Sequence, residues 1–289
     1  MRVDIRLGVW KGSEMKKIKD LLRGMRRLRT AFYWLQFMGY KLAIPAVVNK
    51  DQAQKLRAME NSAETDECFI IGNGPSLRVE DLERLSGRVT FASNGIYRIF
   101  NQTDWRPTYY FVQDSIAVEN VFRSYCHIIE EIKNLFVSMN FYKNYPASIK
   151  ENDKLRVLYV RFCPPKNNEY RFSRDLSKKV YEGLTVTYSM IQAAVYMGFK
   201  KIYLVGIDHS YAVEVDKDGN VLRTDDKQAN HFYSKEGIPE QGHVTKIVEI
   251  TNAYSSARKY ADSNGIQILN ATRGGRLEVY EREDLDRLL

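Results

Sequence analysis

Three of the chain's four histidines, His209, His231 and His243, fall within one stretch of 35 residues just after an apolar run, Ile202–Val205. An imidazole titrates nearest to neutral pH, so a histidine held at a strand end is suited to take a proton from a hydroxyl. His127 lies inside an amphipathic segment and reads as structural. A second group of residues offers hydrogen bonds rather than proton transfer. Gly72-Asn73-Gly74-Pro75-Ser76-Leu77 follows Cys68–Ile71, and Ser93-Asn94-Gly95 follows Val89–Ala92. Gln113-Asp114-Ser115 follows Tyr109–Val112, and Gly206-Ile207-Asp208-His209-Ser210-Tyr211 follows Ile202–Val205. Glycine lets a ligand approach the backbone and exposes amides to phosphate. Asn and Gln carry a donor beside an acceptor, which suits the edge of a base or a sugar. Four such strand ends together favour a nucleotide site. The loop at 72–77 is not the dinucleotide fingerprint, because Pro75 and Leu77 occupy its later positions, and no Gly-Lys-Ser/Thr follows to make a Walker loop.

Metal and redox chemistry have weaker footing. Asp216-Lys217-Asp218 has the Asp-x-Asp pattern that many sugar transferases use to hold a cation. Gly219-Asn220 follows it and Val213, Val215 and Val221 flank it, so a β-hairpin turn is the better reading. Cys68, Cys126 and Cys163 are widely spaced, with no Cys-x-x-Cys, and two of them sit in apolar stretches as reduced, buried thiols do. Residues 1–12 lack the apolar core and cleavage site of a secretion signal, so the expected home is a reducing cytoplasm.

The elements that position these groups alternate. Apolar runs at 68–71, 89–92, 109–112, 135–139, 157–160, 202–205 and 266–269 read as buried strands. Helical spacing appears at Ile116–Ile132, Thr187–Met197 and Thr245–Ser263, the last stopped by Asn264-Gly265. Strand and helix in alternation predict an α/β fold with a doubly wound, mostly parallel sheet, whose ligands lie outside the carboxyl ends of the strands.

The charge is unevenly placed. Residues 1–50 hold twelve of the 44 Lys/Arg and three of the 36 Asp/Glu, so the other 239 residues carry 32 basic and 33 acidic side chains. A near-neutral body argues against a nucleic-acid face. From Ser13 onward Ile18, Leu21, Leu22, Met25, Leu28, Phe32 and Leu35 recur at helical spacing, with Lys16, Lys17, Lys19, Arg23, Arg26, Arg27 and Arg29 opposite. This basic arm, residues 1–60, ends in the polar linker Asn61–Glu67, and a second unit spans 67–289. The run from Ala31 to Val48 is short for a membrane span and is broken by Lys41 and Pro45. Two uses remain for residues 13–48: docking on an anionic membrane surface at its cytoplasmic side, or packing against the body or another subunit in a homo-oligomer.

These residues resemble a known family. Phe69-Ile-Ile-Gly-Asn-Gly-Pro-Ser-Leu77, Asn94 and Met197-Gly-Phe-Lys-Lys-Ile-Tyr-Leu-Val-Gly-Ile-Asp208 look like the bacterial sialyltransferases of glycosyltransferase family 42. They are more similar still to the related 6-hydroxymethylpterin pyrophosphokinase (MptE)-like proteins, in which Gly206–Tyr211, His231-Phe232 and Leu269-Asn-Ala-Thr-Arg-Gly-Gly-Arg-Leu-Glu278 have counterparts. The resemblance covers residues 67 to 282. It implies a Rossmann-like nucleotide-binding domain with a lid at about 209–243 and a CMP-activated nonulosonic acid as donor, with no metal. In it Asn73 and Ser76 would meet the phosphate, Asn94 the ribose or base, and Thr185 the donor sugar. His243 or His231 would be the base, and Tyr211 and Tyr233 would support the departing phosphate. Thr185-Val186-Thr187 stands where the sialyltransferases have Thr-Ser-Gly, so the serine that would hold the donor carboxylate is absent. The pterin enzymes would instead use ATP and Mg²⁺, with Asp114 and Asp208 as the available carboxylates. A glycosyltransferase acting on a surface-glycan or lipid-linked acceptor accounts for strand ends, histidines and arm together. A pterin pyrophosphokinase and a non-catalytic nucleotide-binding protein are the other two classes.

Overall fold

The computed structural model describes residues 25–113, 117–118, 121, 128–211, 213–215, 221–223 and 246–289. Helices α1 (Arg26–Leu42) and α2 (Ala46–Arg57) precede strand β1 (Glu67–Ile71). Then follow α3 (Val79–Arg84), β2 (Thr90–Ser93), β3 (Tyr109–Val112), α4 (Ile128–Glu131), β4 (Asn134–Ser138), α5 (Ala147–Lys150), β5 (Leu155–Leu158), β6 (Val160–Arg161) and β7 (Val180–Tyr181). The chain continues through α6 (Val186–Met197), β8 (Lys201–Val205), β9 (Val213–Val215), β10 (Val221–Arg223), α7 (Ile247–Asp262), β11 (Gln267–Asn270), β12 (Glu281–Arg282) and α8 (Leu285–Leu288).

Eight strands form one sheet in the order β12-β11-β8-β1-β2-β3-β4-β5, and every neighbouring pair is parallel. Continuous apolar runs, rather than alternating ones, require that both faces be covered. Cys68, Phe69, Ile70 and Ile71 of β1 are accordingly all fully buried. Phe111 stacks on Phe136 across β3 and β4 at 4.4 Å, and Phe69 on Tyr203 across β1 and β8 at 4.9 Å. From β1 the chain steps outward through β2 to β5, then crosses to the opposite flank of β1 to lay down β8, β11 and β12. The reversal of strand order therefore falls between β1 and β8, where an open α/β sheet presents its carboxyl-end crevice.

The expected strands are present to within two residues, with one change. The run at 157–160 is divided: β5 ends at Leu158, and Val160-Arg161 leaves the main sheet to pair with Val180-Tyr181. The helices expected at 187–197 and 245–263 appear as α6 and α7. Of the helix expected at Ile116–Ile132, most lies outside the described residues. The strands flanking Asp216–Asn220 pair antiparallel, Val215 opposite Val221, as the hairpin reading requires. The turn itself lies outside the described residues, as does Cys126. Cys68 and Cys163 are buried free thiols.

The second helix of the arm is bound into the body. Gln52 is buried, and its Oε1 accepts from the Val157 amide of the edge strand β5 at 2.9 Å. Leu56 beneath it is fully buried.

A second buried glutamine holds the segment that leads into α6. Gln192 is fully buried on that helix. Its Oε1 accepts from the amides of Ser173 (2.9 Å) and Tyr181 (3.1 Å), and its Nε2 donates to the carbonyls of Tyr181 (2.8 Å) and Tyr188 (3.1 Å). Three of the amide's four bonds tether a loop that has no sheet ladder of its own beyond β7, and the fourth goes to the helix's own turn at Tyr188. Leucine is close in volume but bonds none of these groups, and each buried group left unpaired costs about 1–3 kcal/mol. Gln192→Leu is therefore expected to lower the unfolding free energy in urea by about 3 kcal/mol or more. A midpoint equal to that of the unaltered chain would show that the tether is dispensable.

Candidate active site

The loops leaving β1 and β8 pack on each other. The Gly72 amide donates to the Val205 carbonyl at 2.8 Å, and the Gly74 amide to the Gly206 carbonyl at 2.9 Å. A Cβ on Gly72 would strike the Gly206 carbonyl, and one on Gly74 would strike the Asp208 carboxylate. Gly206 itself has φ +67°, in the left-handed region open to glycine. Ser76 donates its hydroxyl to Asp208 Oδ2 at 2.8 Å and its amide to Oδ1 at 3.2 Å. Burial raises the Asp208 carboxyl above its ordinary pKa, and the Ser76 bonds oppose that shift. Three residues from the carboxyl-terminal motif close the far side. Thr272 Oγ1 accepts from the Ile207 amide at 3.0 Å, the Arg276 amide donates to the Asp208 carbonyl at 2.7 Å, and Gly275 (φ +73°) lies too close to Asp208 for any side chain. At Gly72, Gly74, Ser76, Gly206 and Asp208, then, the partner that requires small or polar residues is the other loop.

Open space lies further along the same edge of the sheet. A cleft of about 460 Å³ opens over the ends of β2, β3 and β4 beside the start of α6, with Asn94, Gln113, Ser138, Asn140, Phe141 and Thr185 on its walls. Asn73 borders this end of the sheet: its Nδ2 donates to the Ser93 carbonyl at 3.0 Å, and its Oδ1 is buried without a partner among the described residues. Asn94 and Asn140 likewise have buried Oδ1 atoms without a partner among the described residues. Gln113 donates to Ser189 Oγ on α6 at 2.9 Å. Thr185 caps α6, its Oγ1 accepting from the Thr187 amide at 3.3 Å, so the positive end of a twelve-residue helix opens at the cleft. Leu184, also in the wall, has φ +62°, and Asn94 has φ +50°. A left-handed leucine costs about 1–2 kcal/mol and persists only where its surroundings hold it. The strain here sits against the cleft.

His209 follows Asp208 and is buried, also left-handed at φ +52°. Its Nε2 lies 2.8 Å from Thr251 Oγ1 on α7. Thr251 gives its own proton to the Ile247 carbonyl at 2.8 Å, so Oγ1 is an acceptor for the ring and Nε2 carries the hydrogen. Nδ1 is then a buried acceptor with no partner among the described residues. Burial pushes this imidazole down to about 4, which makes it a weak proton acceptor near neutrality. Tyr211 stands with its ring 6.4 Å from that of His209.

The structure thus brings Asn94, Gln113 and Thr185 together in one cleft, while Asn73 is bonded to the carbonyl of Ser93, the residue before Asn94. It gathers Gly72, Gly74, Pro75, Ser76, Gly206 and Asp208 in the neighbouring loop junction. His231, Tyr233, His243 and Asp114 lie outside the described residues. Ser138, Asn140 and Phe141 were not anticipated. Ser138 ends β4 and the other two follow it; the rule that singled out polar residues after the other strands would have found Asn140 had it been carried to this strand end.

The sequence profile of a family described as 6-hydroxymethylpterin diphosphokinase MptE-like matches residues 43–214. No curated protein matches the chain. Among solved structures, the chain is similar to the MAf glycosyltransferase of Magnetospirillum magneticum AMB-1, at 15% identity and TM-score 0.48 over 83% of this chain. It spans 39% of the length of that enzyme. It is also similar to the sialyltransferase CstII of Campylobacter jejuni in complex with CMP-3FNeuAc, at 18% identity and TM-score 0.42, over 75% of this chain and 86% of the other. The complex of CstII with cytidine-5'-monophosphate matches at 16% identity and TM-score 0.40, over 75% and 84% of the two chains. At these identities the likeness is one of fold.

The geometry of His209 makes stability pH-dependent. Above its ordinary pKa of 6.5 the ring is neutral in both folded and unfolded chains. As pH falls below that, the unfolded chain takes up a proton that the folded chain refuses until about 4, so stability drains over this window. The full loss from this ring is on the order of 3 kcal/mol. Asp208 works in the opposite sense at its acidic end, so the measurement is a difference. Thermal or urea unfolding of the unaltered chain should lose more stability between these pH values than His209→Gln does. Parallel curves would mean that the ring is already solvated when folded.

Proposed function

Because the chain belongs to the MptE-like family, whose profile covers residues 43–214, we propose that it is a nucleotide-dependent transferase acting in the cleft over β2, β3 and β4. In this reading the donor is a CMP-activated sugar of the nonulosonic acid type, and a surface-glycan or lipid-linked hydroxyl accepts it without a metal. The observation that carries the proposal is the set of buried amide oxygens on Asn73, Asn94 and Asn140 that have no donor among the described residues. A buried acceptor left unpaired is costly, so such atoms await an N–H or O–H. A phosphate, which offers acceptors at neutral pH, does not supply one; the exocyclic amine of a base and the hydroxyls of a sugar do. Asn73 is the firmest case, since its Nδ2 is already bonded to Ser93 and its orientation is thereby set. The start of α6 at Thr185 supplies the complementary group, a helix terminus suited to one phosphate.

In the same proposal the acceptor hydroxyl loses its proton to His243 or His231, with Tyr211 and Tyr233 beside the departing phosphate. His209 has a different task, joining the β8 exit to α7 through Thr251. The diphosphokinase reading that the family's description suggests would need carboxylates for Mg²⁺. Asp208 is poorly suited, because both of its oxygens are bonded by Ser76.

Unfolding temperatures in the presence of CMP, CDP, UDP, GDP and ATP, each with and without Mg²⁺, test the choice. CMP is expected to stabilise the chain without Mg²⁺, by about 2.7 kcal/mol at a hundredfold excess over Kd. Asn140→Ala should weaken CMP binding about tenfold, in line with one lost hydrogen bond to a buried polar group. Stabilisation by ATP with Mg²⁺ alone would replace the transferase with the kinase. With a donor in hand, His243→Ala or His231→Ala should lower turnover by at least about 10²-fold at unchanged CMP affinity. Near-normal turnover in both would remove histidine from the role of base.

A further inference from the structure

We infer that α1, which precedes the stretch 43–214 matched by the family profile, braces a wall of the cleft, and that Tyr33, Phe37 and Lys41 are positioning residues for the ligand bound there. The inference rests on the reading of that cleft as a nucleotide site.

The link runs through the segment that leaves β5 and forms β6. Successive side chains of an extended segment point to opposite sides. Tyr159 and Arg161 face α1: Lys41 Nζ lies 4.8 Å from the centre of the Tyr159 ring, and the Arg161 guanidinium 5.9 Å from that of the buried Phe37. Val160, between them, stands on the cleft wall. One residue further on, the Phe162 ring meets the Tyr33 ring edge-on at 4.4 Å. Within 159–162, then, α1 grips every residue except the one that the cleft uses.

The grip carries across to the next wall residues. β6 pairs with β7, and the Val180 amide donates to the Tyr159 carbonyl at 3.0 Å, the Glu182 amide to the Arg161 carbonyl at 3.1 Å. Glu182, Leu184 and Thr185 line the cleft. This pair of strands is separate from the eight-stranded sheet, so its place is set by what packs on it. The Tyr33 hydroxyl comes near the same wall: burial raises its pKa, Arg29 of the same helix opposes the rise, and the Glu182 carboxylate adds to it. α1 packs as well against the turn Met139–Asn144, which brings Asn140 and Phe141 to the cleft. A helix that only covered the core would leave the cleft indifferent to its loss; here the covered segment is itself the wall.

The test uses the full chain with two variants. Tyr33→Ala changes a part-buried position, and Phe37→Leu keeps an apolar side chain beneath Arg161 without the ring. Amide exchange is read at Val180 and Glu182, which the β6–β7 pair protects, and at Phe69 of β1, whose amide bonds the Val89 carbonyl at 2.9 Å. Both variants are expected to speed exchange at Val180 and Glu182 about tenfold, while Phe69 and the unfolding temperature change little. CMP affinity should fall by at least about fivefold in both, and Tyr33→Phe, which keeps the ring, should restore it. Unchanged exchange at Val180 and Glu182, or faster exchange there with unchanged CMP affinity, would overturn the inference. Faster exchange at Phe69 as well would also overturn it, making α1 a support of the whole fold. An unaltered chain that binds no CMP would overturn the reading of the site and the positioning role with it, whereas unaffected variants of a chain that does bind CMP overturn the positioning role alone.

Discussion

The carboxyl edge of this sheet depends on a contact between two backbones. Where β1 ends, Gly72 and Gly74 place their amides directly on the carbonyls of Val205 and Gly206 at the end of β8. That approach leaves no volume for a Cβ at either glycine. It closes the position between β1 and β8 where strand order reverses, and so decides where a ligand has room. Asp208 and Ser76 then join the two loops through polar side chains, and Thr272, Gly275 and Arg276 brace the β8 exit from behind. The carboxyl-terminal Thr-Arg-Gly-Gly-Arg run is in this sense part of the same junction. Arg273 adds an ion pair to the buried Asp81 of α3 and another, at 2.7 Å, to Asp286. Arg282 donates to the Gly274 carbonyl at 2.6 Å and to the Gly275 carbonyl at 3.2 Å.

With that junction filled, space remains one to three strands further along. The cleft over β2, β3 and β4 is bounded by elements that reach it from distant parts of the chain. Gln113 is tied to α6 through Ser189, and the segment entering α6 is tied back to that helix by Gln192. The left-handed conformations of Leu184 and Asn94 at its wall are local costs that these tethers offset. Removing a tether should therefore be felt at the cleft as well as in global stability.

The sheet was legible in the sequence because parallel strands buried on both faces write themselves as short apolar runs, and Gly198 after Met197 marks the end of α6 as a left-handed cap, φ +100°. The split between β5 and β6 was not, since Leu155–Arg161 is apolar enough to read as one strand and only the partner, β7, separates its end from the main sheet. The Gly-Asn-Gly-Pro-Ser loop was correctly placed at a strand end, but glycine's freedom to approach another backbone says nothing about whose backbone it is. Gln192 gave no local signal beyond being an amide in an apolar helix, and Gln52 none at all, being one polar residue among several in Ala46–Arg57. Their partners lie 105 residues away at Val157 for Gln52 and up to 19 residues away at Ser173 for Gln192. Hydrogen bonds of that kind are fixed by the tertiary fold and not by spacing.

The balance of charge in the cleft bears on which nucleotide chemistry fits it. Among the described residues on its walls, Glu182 is the one ionisable side chain; the rest are amides, hydroxyls and apolar groups. Transfer from ATP develops charge across several phosphoryl oxygens and relies on cations to neutralise it. A helix terminus contributes roughly half a positive charge, enough to favour a single phosphate but little against a triphosphate. A nucleoside monophosphate leaving group makes the smaller demand; the N–H and O–H donors that the Oδ1 atoms of Asn73, Asn94 and Asn140 lack among the described residues would come with any nucleoside. In the proposed reading the walls would hydrogen-bond a nucleoside, and the start of α6 would stabilise one phosphate modestly, with Glu182 the one charged side chain beside them.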